Sequence, residues 1–171
     1  MNTRPGAWIV LTLLIFAGCH SRNSVPSESP SLAPADATAV VQELTAFMTN
    51  VARDVSQQGP LAWNSYFEES PSFFMAVNGQ MAFANGAAAK DGIQHVALAL
   101  KHIDLKWGDD LRVDPLSRTL GVVAASWRET QVDAAGHSVD ESGYFTGLVE
   151  YRDGRWQFRD AHWSAPVPAA R

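Results

Sequence analysis

The stretch Arg155-Trp156-Gln157-Phe158-Arg159-Asp160-Ala161-His162-Trp163-Ser164 sets a carboxylate and an imidazole two residues apart near the end of the chain. Side chains alternate faces along a strand, so Trp156, Phe158, Asp160, His162 and Ser164 fall on one side. If that aromatic side faces inward, Asp160 and His162 face inward with it. Such a pair is the minimum for general acid–base work, because burial and a charged neighbour tune both groups toward neutral pH. Asp160 would abstract or orient a proton and His162 would shuttle it. The same residues also have a purely structural use, with Asp160 paired to Arg128 or Arg159 and His162 held by backbone or Ser164. The opposite register, Trp163 in and His162 out, is equally open at this point.

A second group of residues offers binding rather than proton transfer. Trp63, Tyr66, Phe67, Trp127 and Tyr144 bring large apolar area, and the Trp and Tyr members carry a polar tip that orients a ligand. Core packing is the ordinary alternative use of each. Other chemistries lack their residues. His95 and His102 lie seven apart, opposite the apolar face of their helix, and no His-Glu-x-x-His spacing supports a metal. No Gly-x-Ser-x-Gly elbow supports a serine hydrolase. Asn78-Gly79-Gln80 and Asn85-Gly86 are turn sequences without a phosphate-loop pattern, so no nucleotide and no other cofactor is expected.

These residues need a scaffold, and the chain is long enough for one domain. It has 171 residues, 46% of them hydrophobic, with 13 Lys and Arg against 18 Asp and Glu, a formal charge of −5. The acidic balance lacks the basic stripe that displaces counterions from phosphates, so nucleic acid is not an expected partner. A single cysteine excludes an internal disulfide or a multi-thiolate zinc site. That cysteine sits after Ala7 to Ala17, an apolar run of signal-peptide proportions that is too short to cross a bilayer. The run ends in Phe16-Ala17-Gly18-Cys19, which resembles a bacterial lipobox. The resemblance implies a lipoprotein signal over residues 1–18 and lipidation of Cys19. Residue His20, where inner-membrane retention signals have Asp, implies the outer membrane, facing the periplasm. Residues 19–35, rich in Ser and Pro, read as an extended tether, and a folded domain is expected over 36–171.

The elements follow from periodicity. Val40, Val41, Leu44, Phe47, Met48, Val51 and Val55 form a helical stripe that Gly59 ends, and Pro60 opens a second, short helix. Phe73 to Val77 and Gln80 to Ala84 flank Asn78-Gly79, a type I′ hairpin signal. Asp91 and Gln94 read as a capping box for a third helix through Ile93, Val96, Ala97 and Leu100. Long strand patterns then run His102 to Val113, Thr119 to Val132, His137 to Tyr151 and Arg155 to Ser164, broken at Asp114-Pro115, Ala135-Gly136 and Asp153-Gly154. Strands this long must twist and curl, and helices on the inner face of a curled antiparallel sheet enclose a cone.

Helix, helix, hairpin, helix and meander in that order resemble the nuclear transport factor 2-like superfamily and its SnoaL-like branch. The likeness is carried by Ala124-Ala125-Ser126-Trp127-Arg128, Asp133-Ala134-Ala135-Gly136, Gly143-Tyr144-Phe145-Thr146-Gly147-Leu148-Val149, Asp153-Gly154-Arg155-Trp156-Gln157-Phe158 and the closing Ala161-His162-Trp163-Ser164-Ala165-Pro166. It implies an α+β roll of cystatin-like type: a cone-shaped curved antiparallel sheet packed against three N-terminal helices. The superfamily hosts enzymes, binders and assembly modules, so function belongs to the site. Three expectations follow. The first is an envelope-anchored domain that binds a small apolar or amphipathic molecule in its cone without catalysis. The second is a cofactor-independent isomerase, cyclase or dehydratase working through Asp160 and His162. The third, implied by the family, is a homodimer or docking module.

Overall fold

The computed structural model describes residues 32–166; Cys19, the apolar run before it and most of the expected tether lie outside the described residues. Helix α1 (Pro34–Gln58) begins on a proline, whose fixed φ suits a first turn, and ends at Gly59. Its stripe Val40, Leu44, Phe47, Met48, Val51 and Val55 is buried as the periodicity requires. The expected second helix is a 3₁₀ turn, Pro60–Ser65. The hairpin β1 (Phe74–Val77) and β2 (Gln80–Phe83) turns at Asn78 and Gly79, which take φ of 50° and 80°.

The third helix, α2 (Gly86–Ala99), starts earlier than the Asp91–Gln94 box predicts. Asn85 caps it instead, accepting from the Ala88 amide at 2.9 Å, and the three alanines that follow are strong helix formers. The box residues therefore lie inside the helix.

The expected strand from His102 to Val113 is two strands, β3 (Leu100–Trp107) and β4 (Arg112–Ser117). The break falls at Gly108 to Asp110, where a Cβ on Gly108 would lie 2.0 Å from Ser126 Oγ. Asp114 and Pro115 are paired inside β4, tolerated because β4 is an edge strand that needs no donor on its outer side. β5 (Leu120–Asp133), β6 (Ser138–Arg152) and β7 (Arg155–Ser164) follow as a meander.

The sheet runs β2-β1-β7-β6-β5-β3, with β4 also on β5, so its edges do not close. It is mixed rather than purely antiparallel: β1 pairs parallel to β7, Met75 against Ala161 and Val77 against Trp163. The result is an α+β fold with a curved, open sheet and helices preceding it in the chain. One buried cluster joins the α1 stripe to Ile103, Leu105, Val123, Phe145, Val149 and Phe158 on the concave side. Among the described residues that core runs from Val40 to Ala165, within the compact unit that begins at Leu32.

Candidate functional site

The face a residue takes on β7 decides the site. Val149 pairs with Phe158 and Leu148 with Asp160, which leaves Arg159 as an extra residue, a β-bulge. The bulge resets the alternation. Phe158, Ala161 and Trp163 are buried on the concave side, whereas Asp160 pairs with Leu148 and His162 with Thr146 on the convex side. The His162 side chain is exposed and makes no hydrogen bond among the described residues. The inward Asp160–His162 pair expected from simple alternation is thereby corrected: both residues face away from the concave side. Burial raises the Asp160 carboxyl, Arg159 lowers it, and the Glu68 and Glu150 charges raise it further.

Two aromatic expectations are corrected as well. Tyr144 lies on the convex face of β6, one residue from inward Phe145, and is exposed. Tyr66, where the 3₁₀ turn ends, turns its hydroxyl onto Asp54 of α1, a contact that lowers the carboxyl together with the larger effect of Arg53. Burial and that same bond raise the Tyr66 phenol out of reach of proton transfer near neutral pH.

Trp63, Phe67 and Trp127 do come together, on the wall of a cavity of about 350 Å³. The cavity occupies the concave side beside the 3₁₀ turn and α2. Pro60, Val77 and Ile93 continue its apolar wall, and Trp163 stands between the cavity and the core, with Trp127 at 5.1 Å and Trp63 at 5.8 Å between ring centroids.

Its polar groups were not anticipated. β5 keeps odd residues inward, Val123, Ala125 and Trp127, and the same face continues with Glu129 and Gln131. The β5–β6 register puts Glu141 directly across from Glu129. All three line the cavity. Burial raises the Glu129 carboxyl; the amide of Gln131, which donates to it, pulls the other way, and the Glu141 charge raises it again. Trp127 Nε1 is also unusual. The indoles of Trp107 and Trp156 donate to the Met48 carbonyl and Glu43 at 2.7 and 2.8 Å, but Trp127, 6% exposed, has its N–H buried with no acceptor among the described residues. An unmet buried donor costs about 1–3 kcal/mol.

No protein-family model matches the sequence, and no curated protein matches it. Solved structures do. An NTF2-like superfamily protein from Salmonella enterica superposes with a TM-score of 0.66 at 14% identity, covering 78% of this chain and 95% of the other. The fold is nuclear transport factor 2-like. The hexachlorocyclohexane dehydrochlorinase LinA-type3 from Novosphingobium barchaimii shares the nuclear transport factor 2-like frame at a TM-score of 0.61 and 14% identity, covering 81% and 97%. A protein with a cystatin-like fold from Caulobacter vibrioides reaches 0.59 at 12%, covering 76% and 92%. Neighbours of one fold thus include an enzyme, and the cavity residues must decide the function.

The raised Glu129 carboxyl has a thermodynamic consequence. In the unfolded chain this group ionises in the ordinary glutamate range, so its favourable neutral form is fully held below that range. That stability is lost as pH rises through the higher folded value. Glu129→Gln is therefore expected to raise the thermal midpoint at pH 8 and to leave it nearly unchanged at pH 4. An equal shift at both values would contradict the burial argument.

Proposed function

We propose that the domain binds a small, largely apolar molecule in the concave cavity. The carrying observation is a concave space of about 350 Å³ walled by the aromatic side chains of Trp63, Phe67, Trp127 and Trp163. The volume lies within the range of small-ligand sites, about 300–1,000 Å³, and such sites combine an apolar wall with a few convergent polar groups. Glu129, Gln131 and Glu141 supply those groups.

The test uses residues 32–171 and the neutral fluorescent probe N-phenyl-1-naphthylamine. Saturable binding with enhanced emission is expected. Val96→Trp, on the partly exposed α2 flank of the cavity, should weaken it by about tenfold, or about 1.4 kcal/mol. Non-saturable binding, or binding indifferent to Val96→Trp, would place the probe elsewhere and remove the proposal.

A second reading is favoured by Glu129 itself. A carboxyl raised by burial and facing a second carboxylate has the tuning of a general base or acid, and one structural neighbour is named as a dehydrochlorinase. Here the acid–base role moves from Asp160 and His162 to Glu129. Native mass spectrometry of the protein purified from its host checks this reading: substrate and product together on the wild type, and substrate alone on Glu129→Gln.

We also propose lipid attachment at Cys19, supported by Ala7 to Ala17 and the Phe16-Ala17-Gly18-Cys19 sequence, with the domain held at the bacterial envelope. The convex face, where Tyr144 is exposed, is the surface on which a homodimer would form.

A further inference from the structure

The two carboxylates of the cavity carry more information than its apolar wall. Glu129 on β5 and Glu141 on β6 are directly opposed, and opposed residues on neighbouring strands bring their Cβ atoms to about 5 Å. Like charges so placed repel; Glu129 is partly buried and accepts a hydrogen bond from Gln131, and Glu141 is exposed. Neither makes an ion pair among the described residues, and no Lys, Arg or His lines the cavity. The basic side chains nearby on the strands are engaged elsewhere: Arg128 is exposed on the convex side of β5, Lys106, opposite it on β3, pairs with Asp104, and His137 pairs with Asp133. The wall therefore presents uncompensated negative charge in a space that three indoles also line, Trp63, Trp127 and Trp163. Indole faces attract cations through their quadrupole, and they attract nothing anionic.

We propose that the natural ligand is an organic cation: an amine protonated at neutral pH on an apolar body. The ammonium lies between Glu129 and Glu141, and the apolar body lies against Trp63 and Trp163. Binding relieves the carboxylate repulsion of the free protein. The assignment rests on the cavity being a ligand site, as proposed above.

Three probes of one aromatic body separate the two ideas: 1-naphthylmethylamine, 1-naphthalenemethanol and 1-naphthylacetate, titrated calorimetrically into residues 32–171 at pH 7.5. The amine is expected to bind at least about tenfold more tightly than the alcohol, since an opposite charge within contact range is worth about 1–3 powers of ten, and the carboxylate should bind weakest. In Glu129→Gln/Glu141→Gln, confirmed as folded by its thermal midpoint, the amine-to-alcohol ratio should fall to near one. Equal binding of all three probes, or tightest binding of the carboxylate, overturns the cation assignment while the cavity reading stands. An amine preference that survives in the double variant also overturns it, because the charge recognised would then lie elsewhere. Failure of all three probes to bind removes the cavity reading and the cation assignment with it.

Discussion

Trp163→Ala is expected to destabilise the domain by about 3–5 kcal/mol, a large part of the roughly 5–15 kcal/mol that holds a domain of this size together. Trp163 is 9% exposed and its ring meets four others, Trp63, Trp107, Trp127 and Phe145, at centroid distances of 4.7 to 5.8 Å. The loss should fall at the upper end of that range. Truncation costs least where neighbours collapse into the space, and here one side of the space already opens on the cavity, so the remaining rings have little to close against. Trp163→Phe, which keeps a ring, should cost markedly less. His162→Ala, one residue away, should change stability by no more than about 0.5 kcal/mol, because an exposed side chain with no partner has little to lose. Urea unfolding of the three variants gives the comparison. A Trp163→Ala domain as stable as His162→Ala would mean that β7 does not take the faces described.

That contrast also shows what the sequence could and could not disclose. The α1 stripe was readable because a 3.6-residue period sustained from Val40 to Val55, about four turns, has no competing explanation, and Asn78-Gly79 and Asp153-Gly154 announced their turns because both need positive φ. The bulge at Arg159 has no such signature. No Gly or Pro marks it, and the pairing that creates it involves β6, ten or more residues away in the chain. A single uncounted residue then moved Asp160 and His162 to the opposite face, as any one-residue change of register must. The parallel β1–β7 pairing was hidden for a related reason: a four-residue strand carries too short a pattern to select a distant partner.

Glu129 and Gln131 were hidden differently, since two polar residues at a strand end ordinarily mean that the strand is leaving the core. A signal was nonetheless present. Val123, Ala125, Trp127, Glu129 and Gln131 continue one alternation, and counting back through the Ala135-Gly136 turn opposes Glu129 to Glu141. The fold class needed only patterns local to each element, whereas the site needed the register between elements.

The second large effect tests that register where β6 and β7 come closest. A Cβ built on Gly143 would lie 1.8 Å from the Ser164 carbonyl oxygen, 2.8 Å from its carbon and 3.0 Å from Ala165 Cα. These are backbone atoms, so no rotamer change relieves the clash and the end of β7 must move away from β6. The movement breaks a tight set of contacts: Ser164 Oγ donates to the Tyr144 carbonyl at 3.0 Å, and the Ala165 amide donates to Asn78 Oδ1 at 2.7 Å. Asn78, Ser164 and Ala165 are cavity residues, so the same displacement spreads one wall of the binding space. Gly143→Ala is therefore expected to cost about 1–3 kcal/mol, the usual range for overpacking, and to weaken N-phenyl-1-naphthylamine binding in parallel. Gly136→Ala is the matched control. It carries the strain of a positive φ, 89°, but meets nothing within 4 Å, so it should lower stability and leave probe affinity as it is. Coupled losses in Gly143→Ala, set against a loss of stability alone in Gly136→Ala, would tie the β6–β7 approach to the shape of the cavity. Wild-type stability and affinity in Gly143→Ala would show that the two strands do not approach as closely as this register demands.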